Sequence, residues 1–449
     1  MSHAFLPAIA YLLLLQSGQE PPKFEERLLS RKPPGEHWMA PIVSSDLKRV
    51  VWATSWGREE KKRVVIDGAA GEEFDWISMP RFLPDGRVFY AARNHDPGTP
   101  SYRPTGTSFI VLDGRAAKVE YMIHSEPVLS EDGAKITYVT EYGERKMAVV
   151  VDGKPGETYA WVKDPVISPD GRVGYVAHTK VNECGNSPPL QAAHAVVDGV
   201  KGPAFHWVEQ LVFSPDGKSH AYVARMGPAF FVMNGDKKGP EFRKIEHLRF
   251  HPDGKRVVYV AEEAEWKQRL VVGDDQGAVF TGVGKPVISP DGKVVTYQGY
   301  EYDPARPGMM PRNLYVVNGV KSGPYWATSD PVIMPDGRTV ACLVKSEKGY
   351  AIVRGDQLGP TVEGLTHVQF GEGGGYPVLL AFSPDGKNWS ARVNSSSQRH
   401  TLSVIVNDRA HLDVYAWQAP VFSPDGRKAG FLAYSWKTQE VRWRVVPVD

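Results

Sequence analysis

Residues 214–217, Ser-Pro-Asp-Gly, place a hydroxyl group, a carboxylate and a glycine side by side, a set that could serve catalysis or ligand binding. A catalytic motif usually occurs once in a chain, whereas a structural unit recurs. This step recurs with variations, and its aspartates are Asp46, Asp85, Asp132, Asp170, Asp216, Asp253, Asp291, Asp336, Asp385 and Asp425. Successive aspartates are 39, 47, 38, 46, 37, 38, 45, 49 and 40 residues apart. We therefore interpret the motif as part of a structural repeat.

Each unit predicts four short strands, because apolar and β-branched residues alternate or run together between turn signals. In the Pro-Asp-Gly step, proline presets φ, aspartate bonds to the local backbone and glycine accepts a positive φ, which predicts a tight hairpin between strands A and B. Pairs such as Asp198-Gly199 and Asn318-Gly319 predict a second hairpin between strands C and D. Four strands in about 40 residues are typical of one β-propeller blade.

The predicted fold is therefore an all-β β-propeller of ten four-stranded blades over residues 24–449. One ring is favoured, because the midpoint between Asp216 and Asp253 has the shortest spacing and no linker. Two packed five-bladed rings are the alternative, since propellers usually have about four to eight blades. A strand near residues 36–39 is expected to complete the final blade beside the last strand, at residues 441–446.

The segment LVFSPDGKSHAYVA (residues 211–224) resembles the TolB-like or WD40-like (PD40-type) propeller repeat of bacterial envelope proteins. The resemblance covers residues 41–449. It implies a propeller that serves as a binding scaffold, as an accessory domain of a peptidase or, in some members, as a lyase. The chain departs from the peptidase members, because no α/β-hydrolase domain follows the repeats. It also has more units than the TolB-like domains usually have.

The N-terminus lies outside the repeat pattern. Residues 4–15 are an apolar run too short to span a bilayer, followed by a polar segment, so residues 1–19 are interpreted as a signal peptide. The alternative is a buried N-terminal strand or helix. The mature chain is expected to begin between Gly18 and Pro22, and the protein to be periplasmic or secreted. Cys184 and Cys342 are expected to remain free thiols, because they fall far apart around any ring.

Composition and motifs narrow the function classes. The formal net charge of +1 gives no basis for binding nucleic acid or a membrane surface, and no transmembrane segment is expected. No recognised catalytic motif occurs. His247 and His251 would share a face of one strand, but without nearby carboxylates they do not predict a metal site. We therefore predict no metal, no cofactor and no catalytic residue.

Five tryptophans recur at equivalent places, which we assign to D strands: Trp76, Trp161, Trp207, Trp326 and Trp417. A stacking ladder for sugars is one interpretation. Packing between blades is favoured, because the residues recur inside the units.

The B–C loops at residues 92–108, 177–194 and 299–313 are long, whereas the Asp-Gly turns are all short. In a propeller the B–C and D–A connections share one face, so function is expected there. Acidic residues just before the A strands would form a rim that attracts cationic groups, with aromatic loop residues beside it. The predicted binding residues are Glu126, Asp164, Glu209, Glu246, Asp330, Tyr102, Tyr300 and Tyr302. The alternative for these carboxylates is plain solvation or turn capping.

Two functions follow from this pattern. The favoured one is an exported, non-catalytic binding or scaffold protein that recognises a protein, peptide or glycan through this face. The alternative is a polysaccharide lyase or hydrolase with its active site in the central funnel, because propeller active sites draw single residues from separate blades and need leave no motif.

Overall fold

The computed structural model describes residues 25–31, 36–38, 42–44, 48–56, 61–96, 105–142, 146–180, 192–302, 312–362, 378–394, 402–407, 409–411, 420–435 and 440–448. These residues form an all-β chain without helices, folded into ten antiparallel sheets. The sheets are the blades of one β-propeller ring, which confirms the predicted fold and the predicted single ring.

The strands of the first half follow in chain order. The first is β1 (Glu25–Arg31), which belongs to the last blade. Blade 1 has β2 (Glu36–Trp38), β3 (Ile42–Val43), β4 (Val50–Trp56), β5 (Lys62–Ile66) and β6 (Ala69–Phe74). Blade 2 has β7 (Trp76–Ile77), β8 (Arg81–Phe82), β9 (Val88–His95), β10 (Gly106–Leu112) and β11 (Arg115–Lys118). Blade 3 has β12 (Val128–Leu129), β13 (Ile136–Tyr142), β14 (Lys146–Val151) and β15 (Lys154–Pro155). Blade 4 has β16 (Trp161–Ile167), β17 (Val173–His178), β18 (Ala193–Val197) and β19 (Val200–Lys201). Blade 5 has β20 (Trp207–Phe213), β21 (His220–Met226), β22 (Ala229–Asn234) and β23 (Lys237–Lys238).

The second half repeats the arrangement. Blade 6 has β24 (Lys244–Phe250), β25 (Val257–Ala264), β26 (Lys267–Val272) and β27 (Asp275–Gln276). Blade 7 has β28 (Gly282–Val283), β29 (Val287–Ile288), β30 (Val295–Glu301), β31 (Arg312–Val317) and β32 (Val320–Tyr325). Blade 8 has β33 (Ala327–Thr328), β34 (Val332–Ile333), β35 (Val340–Ser346), β36 (Gly349–Arg354) and β37 (Gln357–Thr361). Blade 9 has β38 (Leu379–Phe382), β39 (Trp389–Asn394), β40 (Leu402–Val406) and β41 (Arg409–His411). Blade 10 has β42 (Val421–Phe422), β43 (Lys428–Ser435) and β44 (Glu440–Pro447), completed by β1.

The Pro-Asp-Gly steps form the A–B turns, as predicted. In blade 5 Gly217 has φ +74°, and its N–H donates to the carbonyl of Ser214 at 2.8 Å. The Ser214 hydroxyl donates to Asp216 at 2.6 Å and accepts the N–H of Ser219 at 2.9 Å. The C–D turns carry aspartate or asparagine at positive φ, for example Asp198 at +51° and Asn318 at +47°. We call the face that carries these turns the turn face, and the opposite one, with the B–C and D–A connections, the loop face.

Side chains near five of the described A–B turns also bind the turn of the next blade. Arg172 of blade 4 donates from Nη1 to the Gly217 carbonyl of blade 5 at 3.2 Å. His251 of blade 6 donates from Nε2 to the Gly292 carbonyl of blade 7 at 2.9 Å. Arg49, Lys135 and Asn388 make the same link to the turn glycine that follows them in the ring. The recurring motif therefore builds the turn and also joins consecutive blades.

The core lies between the blades. Each hydrophobic cluster of described residues combines side chains from two consecutive blades, from blades 1 and 2 through to blades 9 and 10. Edge-on aromatic pairs recur in it: Tyr159 with Tyr175 and Phe205 with Tyr222 are both 6.1 Å apart between ring centroids. Burial of this kind raises the pKa of Tyr222 to about 12.

The ring closes with a strand other than the predicted one. Residues 36–38 pair with β4 and belong to blade 1, whereas β1 pairs antiparallel with β44 and completes blade 10. Glu26 on β1 accepts hydrogen bonds from Arg442 and Arg444, both at 2.6 Å. The prediction that residues 36–39 complete the last blade was therefore wrong. The strand that does so, β1, was not recognised in the sequence because it carries charged residues that form ion pairs where other strands have apolar side chains.

Candidate functional site

The A strands line the inside of the ring, and each begins at the loop face. Trp76, Trp161 and Trp207 are the first residues of β7, β16 and β20, and Trp326 directly precedes β33. The assignment of these tryptophans to D strands was therefore wrong, and they lie at the inner rim of the loop face. The D strands are short and end several residues before the A strands begin, so the sequence did not show where one strand ends and the next begins. Trp417 lies outside the described residues.

A cation covers the tryptophan ring in several blades. In blade 2 the end of β9 brings Arg93 opposite Trp76, with the guanidinium carbon 5.1 Å from the ring centroid. In blade 8 the Lys345 ammonium lies 5.9 Å from the centroid of Trp326. Attraction between a cation and an aromatic face stabilises such pairs by about 0.5–2 kcal/mol. The rim thus has a recurring contact between an A-strand tryptophan and a B-strand cation.

Blades 4 and 5 meet at a different arrangement, which we call the 4–5 seam and define by Trp161, Lys163, His178, Trp207 and Glu209. The residue opposite Trp161 is His178, whose ring centroid lies 4.9 Å from Trp161 and 5.7 Å from Trp207. The Lys163 ammonium lies 5.8 Å and 4.8 Å from the same two tryptophan centroids. The indole N–H of Trp207 donates to Glu209 at 2.9 Å, which fixes the orientation of that ring.

His178 is fully buried in the seam, and neither ring nitrogen has a hydrogen-bond partner among the residues that the structure describes. Burial, the charge of Lys163 and that of His194 lower the pKa of His178 to about 4. The imidazole is therefore uncharged at neutral pH and holds one free donor and one free acceptor. A buried polar group without a partner carries a cost of about 1–3 kcal/mol, so its presence calls for a functional explanation.

The predicted acidic residues occupy two positions of the repeat. Glu126, Asp164 and Asp330 lie six residues before their turn aspartates, whereas Glu209 and Glu246 lie seven residues before theirs. The first position is exposed in all three cases, and at Asp164 it is a β-bulge with φ +51°. The structure therefore brings equivalent positions of neighbouring blades to one rim.

The rim carries both signs of charge. Asp164 pairs with Lys163 at 3.2 Å and Glu246 with Lys244 at 2.9 Å. Partial desolvation of the carboxyl group raises the pKa of Glu126, against the main-chain N–H of Met79 and the charge of Arg81, which act to lower it. Lys285 takes the equivalent place in blade 7. The attraction of cationic groups to this rim remains a prediction. It applies to the blades in which carboxylates outnumber cations.

The predicted tyrosines differ in exposure. Tyr300 is half-buried and its hydroxyl donates to Gln298 at 2.6 Å, so it supports the junction of blades 7 and 8. Tyr302 is 46% exposed, and its N–H donates to the Thr281 hydroxyl at 3.0 Å. The exposed aromatic surface of this sector also includes Trp266, at 72% exposure, and Trp326, at 61%. Tyr102 lies outside the described residues.

Three rim residues were missed from the sequence: Lys163, His178 and Gln210. Gln210 bridges blades 5 and 6, donating to the Ile245 carbonyl at 3.1 Å and accepting the Leu248 N–H at 3.0 Å. One signal in the sequence could have identified His178. Aligned on their turns, the units place Arg93 and Lys345 where blade 4 has this histidine.

The two histidines considered for metal binding do not form a pair. His247 lies exposed at a bulge, which shifts the register of β24, and His251 is buried and bound to the Gly292 carbonyl. In the part of the chain that the structure describes, no group of three histidine, cysteine or acidic residues could hold a metal ion. Those residues also include no helix long and apolar enough to cross a membrane. Cys342 is buried and free, and Cys184 lies outside the described residues.

The fold and this rim define the protein as a β-propeller with a varied loop face. No protein-family model and no curated protein matches the chain. A eukaryotic initiation factor is 12% identical, with a TM-score of 0.43 over 87% of this chain and 89% of its own. An oligogalacturonate lyase from Vibrio parahaemolyticus is 11% identical, with a TM-score of 0.35 over 94% and 98%. TolB from Acinetobacter baumannii is 15% identical, with a TM-score of 0.27 over 64% and 79%. At these values the similarities carry no conclusion about the function of this chain.

Proposed function

We propose that this protein is an exported, non-catalytic binding propeller that recognises a protein, peptide or glycan through its loop face, in the periplasm or outside the cell. One observation supports the proposal above others. The turn face repeats the same internally bonded motif from blade to blade, whereas the inner rim of the loop face varies among the blades and exposes charged and aromatic side chains. Exposed aromatic and charged groups on a rigid scaffold are the usual material of binding surfaces.

The binding residues in this proposal are the rim carboxylates and the exposed aromatic residues of the same face. Asp164 is 57% exposed at the side chain and Asp330 is exposed in blade 8. These two carboxylates lie four blades apart, so a ligand that contacts both spans the mouth of the central channel. Tyr302 and Trp326 supply exposed aromatic surface in blades 7 and 8.

The test is a charge-removing double variant, Asp164→Asn with Asp330→Asn. Ligands are taken from a glycan array and from envelope proteins of the native host, and their affinities are then measured with purified components. We expect weaker binding at low salt and a smaller difference at high salt, because salt screens exposed charges. The matched control is Asp274→Asn with Asp356→Asn, which removes the same charge from exposed turn-face positions. An equal loss in the control, or no loss in the rim variant, would contradict the proposal.

The lyase or hydrolase alternative has a separate outcome. Purified protein that cleaves a polysaccharide, with an increase of reducing ends or of unsaturated products, would replace the binding function with an enzymatic one. The same preparation, assayed with and without added divalent metal, decides whether such an activity needs an ion.

Export is tested on protein from the native host. Intact mass and N-terminal sequencing of the envelope or culture fraction should give a chain that begins between Gly18 and Pro22. That start leaves β1 intact for ring closure. Recovery of the intact Met1 chain in the cytoplasmic fraction would contradict export.

A further inference from the structure

The inner rim contains a binding position for a cation, which we call the seat. In blade 2 a side chain of the protein itself occupies it. Arg93 stacks on Trp76 at 5.1 Å and donates from Nη1 to the Ile123 carbonyl of blade 3 at 3.0 Å. In blade 8 the Lys345 ammonium also lies 5.9 Å from the centroid of Trp326, although the cross-strand partner of Lys345 is the next residue, Ala327. The seat therefore consists of an A-strand tryptophan and a cation from the end of the B strand.

At the 4–5 seam the B-strand cation of this seat is missing. The position opposite Trp161 holds His178, which is uncharged at neutral pH. In blade 5 the corresponding Arg225 is opposite Trp207 but lies over Phe230, with 5.6 Å between its guanidinium carbon and that ring. Two adjacent tryptophans lie 6.5 Å apart between centroids, and in the described structure no cation from their own B strands lies above them.

Lys163 fills part of this space from the A strand of blade 4. Its side chain is 19% exposed and its ammonium pairs with Asp164 at 3.2 Å. Two carboxylates, Asp164 and Glu209, border the seam: Asp164 pairs with Lys163, and Glu209 accepts the indole N–H of Trp207. The unpartnered imidazole of His178 adds a hydrogen-bond acceptor at the base of the seam.

We propose that the 4–5 seam binds a basic side chain, arginine or lysine, of a protein partner, in the place that Arg93 fills in blade 2. The inference rests on the proposed loop-face function and names the chemical group that this face recognises. The partner's cation stacks on Trp161 and Trp207, donates to His178 and pairs with Asp164. Lys163 holds the seat in the free protein and is displaced on binding.

The probe for this site is N-acetyl-arginine methylamide, with the citrulline analogue as an uncharged control of the same shape. Tryptophan fluorescence and NMR shifts of the indole N–H signals report binding. The wild-type protein should bind the arginine probe and not the citrulline probe, because cation–π attraction requires the charge. Equal binding of the two probes, or binding of a neutral sugar in the same assay, would overturn the proposal.

The most decisive variant is Lys163→Met. Removal of the competing ammonium should tighten probe binding by about fivefold or more, since a larger fraction of the protein then has a vacant seat. A seam that used Lys163 to bind an anionic ligand would lose its binding instead. Unchanged or lost arginine-probe affinity in this variant would therefore contradict the proposal.

A reciprocal exchange provides matched variants. His178→Arg supplies the cation that blade 4 lacks, and should abolish probe binding. Arg93→His removes the cation of blade 2, and should raise the number of bound probes from one to two per protein. Because His178→Arg places a larger side chain in a buried position, its folding is checked by melting temperature. If it does not fold, the Arg93→His stoichiometry and the Lys163→Met affinity decide, and an unchanged stoichiometry counts against the proposal.

The outcomes separate this inference from the proposed function. A partner whose binding depends on Asp330 but is unaffected by Lys163→Met leaves the loop-face function in place and removes the seam from it. If the seam binds the arginine probe but no partner binds the loop face, the seam proposal stands and the proposed loop-face function fails.

Discussion

The two faces of the propeller differ in what their side chains are bonded to. On the turn face, Ser214 and its equivalents bond to the turn aspartate, and residues such as Arg172 bond to the next blade. On the loop face, His178 is buried and neither nitrogen is paired within the described part of the chain, and Trp266 and Trp326 are largely exposed. The Ser-Pro-Asp-Gly motif of this chain therefore has a structural role, whereas the candidate site lies where the repeat is interrupted.

Substitution of a turn glycine should have the largest effect. Gly217→Val combines a positive φ that β-branched residues resist with a clash, because a Cβ there would lie 2.2 Å from the Asp170 carboxylate of blade 4. We expect a loss of about 3 kcal/mol in the free energy of unfolding, measured by urea denaturation. Gly86→Val is the matched control: its φ is +82°, but no atom lies within 4 Å of the added Cβ. A loss in the control as large as that in Gly217→Val would remove the blade-to-blade contact from the explanation.

Acidification should reveal the cost of burying His178. Its pKa is about 4 in the folded protein and about 6.5 when unfolded, so the unfolded chain binds the proton first as pH falls. Stability should therefore decrease between pH 6.5 and pH 4 by about 2 kcal/mol more in wild type than in His178→Phe. Urea denaturation across this range measures the difference, and His178→Gln should behave like the phenylalanine variant. Parallel pH profiles for all three proteins would contradict the burial of an uncharged imidazole.

Loss of one turn hydroxyl should cost less. Ser214→Ala removes the acceptor for the Ser219 N–H in a fully buried position, and we expect a loss of about 1–2 kcal/mol. Ser423 makes the same bonds in blade 10 but is more exposed, so water can replace its hydroxyl. Ser423→Ala should therefore lose less than about 1 kcal/mol. A reversed order in thermal or urea denaturation would show that burial does not set the strength of these turns.

Removal of rim charges should have the smallest effect on stability. Asp164→Asn with Asp330→Asn changes exposed carboxylates, and exposed ion pairs contribute about 0–1 kcal/mol. We expect a change within about 0.5 kcal/mol in the free energy of unfolding, while ligand affinity falls. A large loss of stability would give these residues a structural role and weaken the contrast between the faces.

Much of the turn face could be predicted from the sequence, because its geometry depends on local residues. Glycine at positive φ and the Asx turn of Asp216 are encoded within a few positions. The rim could be predicted only in outline. Trp161 and Trp207 were assigned to the wrong strand, since a two-residue D strand has no periodicity to mark its end. The 4–5 seam depends on the contact between side chains 29 or more residues apart, such as His178 and Trp207, which no local pattern contains.

Ring closure through β1 has a consequence for the order of folding. Within a blade, pairing strands are separated by a few tens of residues, but the ion pair of Glu25 with Lys428 joins residues 403 positions apart. Closing a loop about ten times longer costs about 2 kcal/mol more in chain entropy. During synthesis, the first strand of the repeat domain must wait unpaired until the last blade emerges. Blades 1 to 9 can form one after another by local pairing, so completion of the ring is expected to be the slowest step of folding.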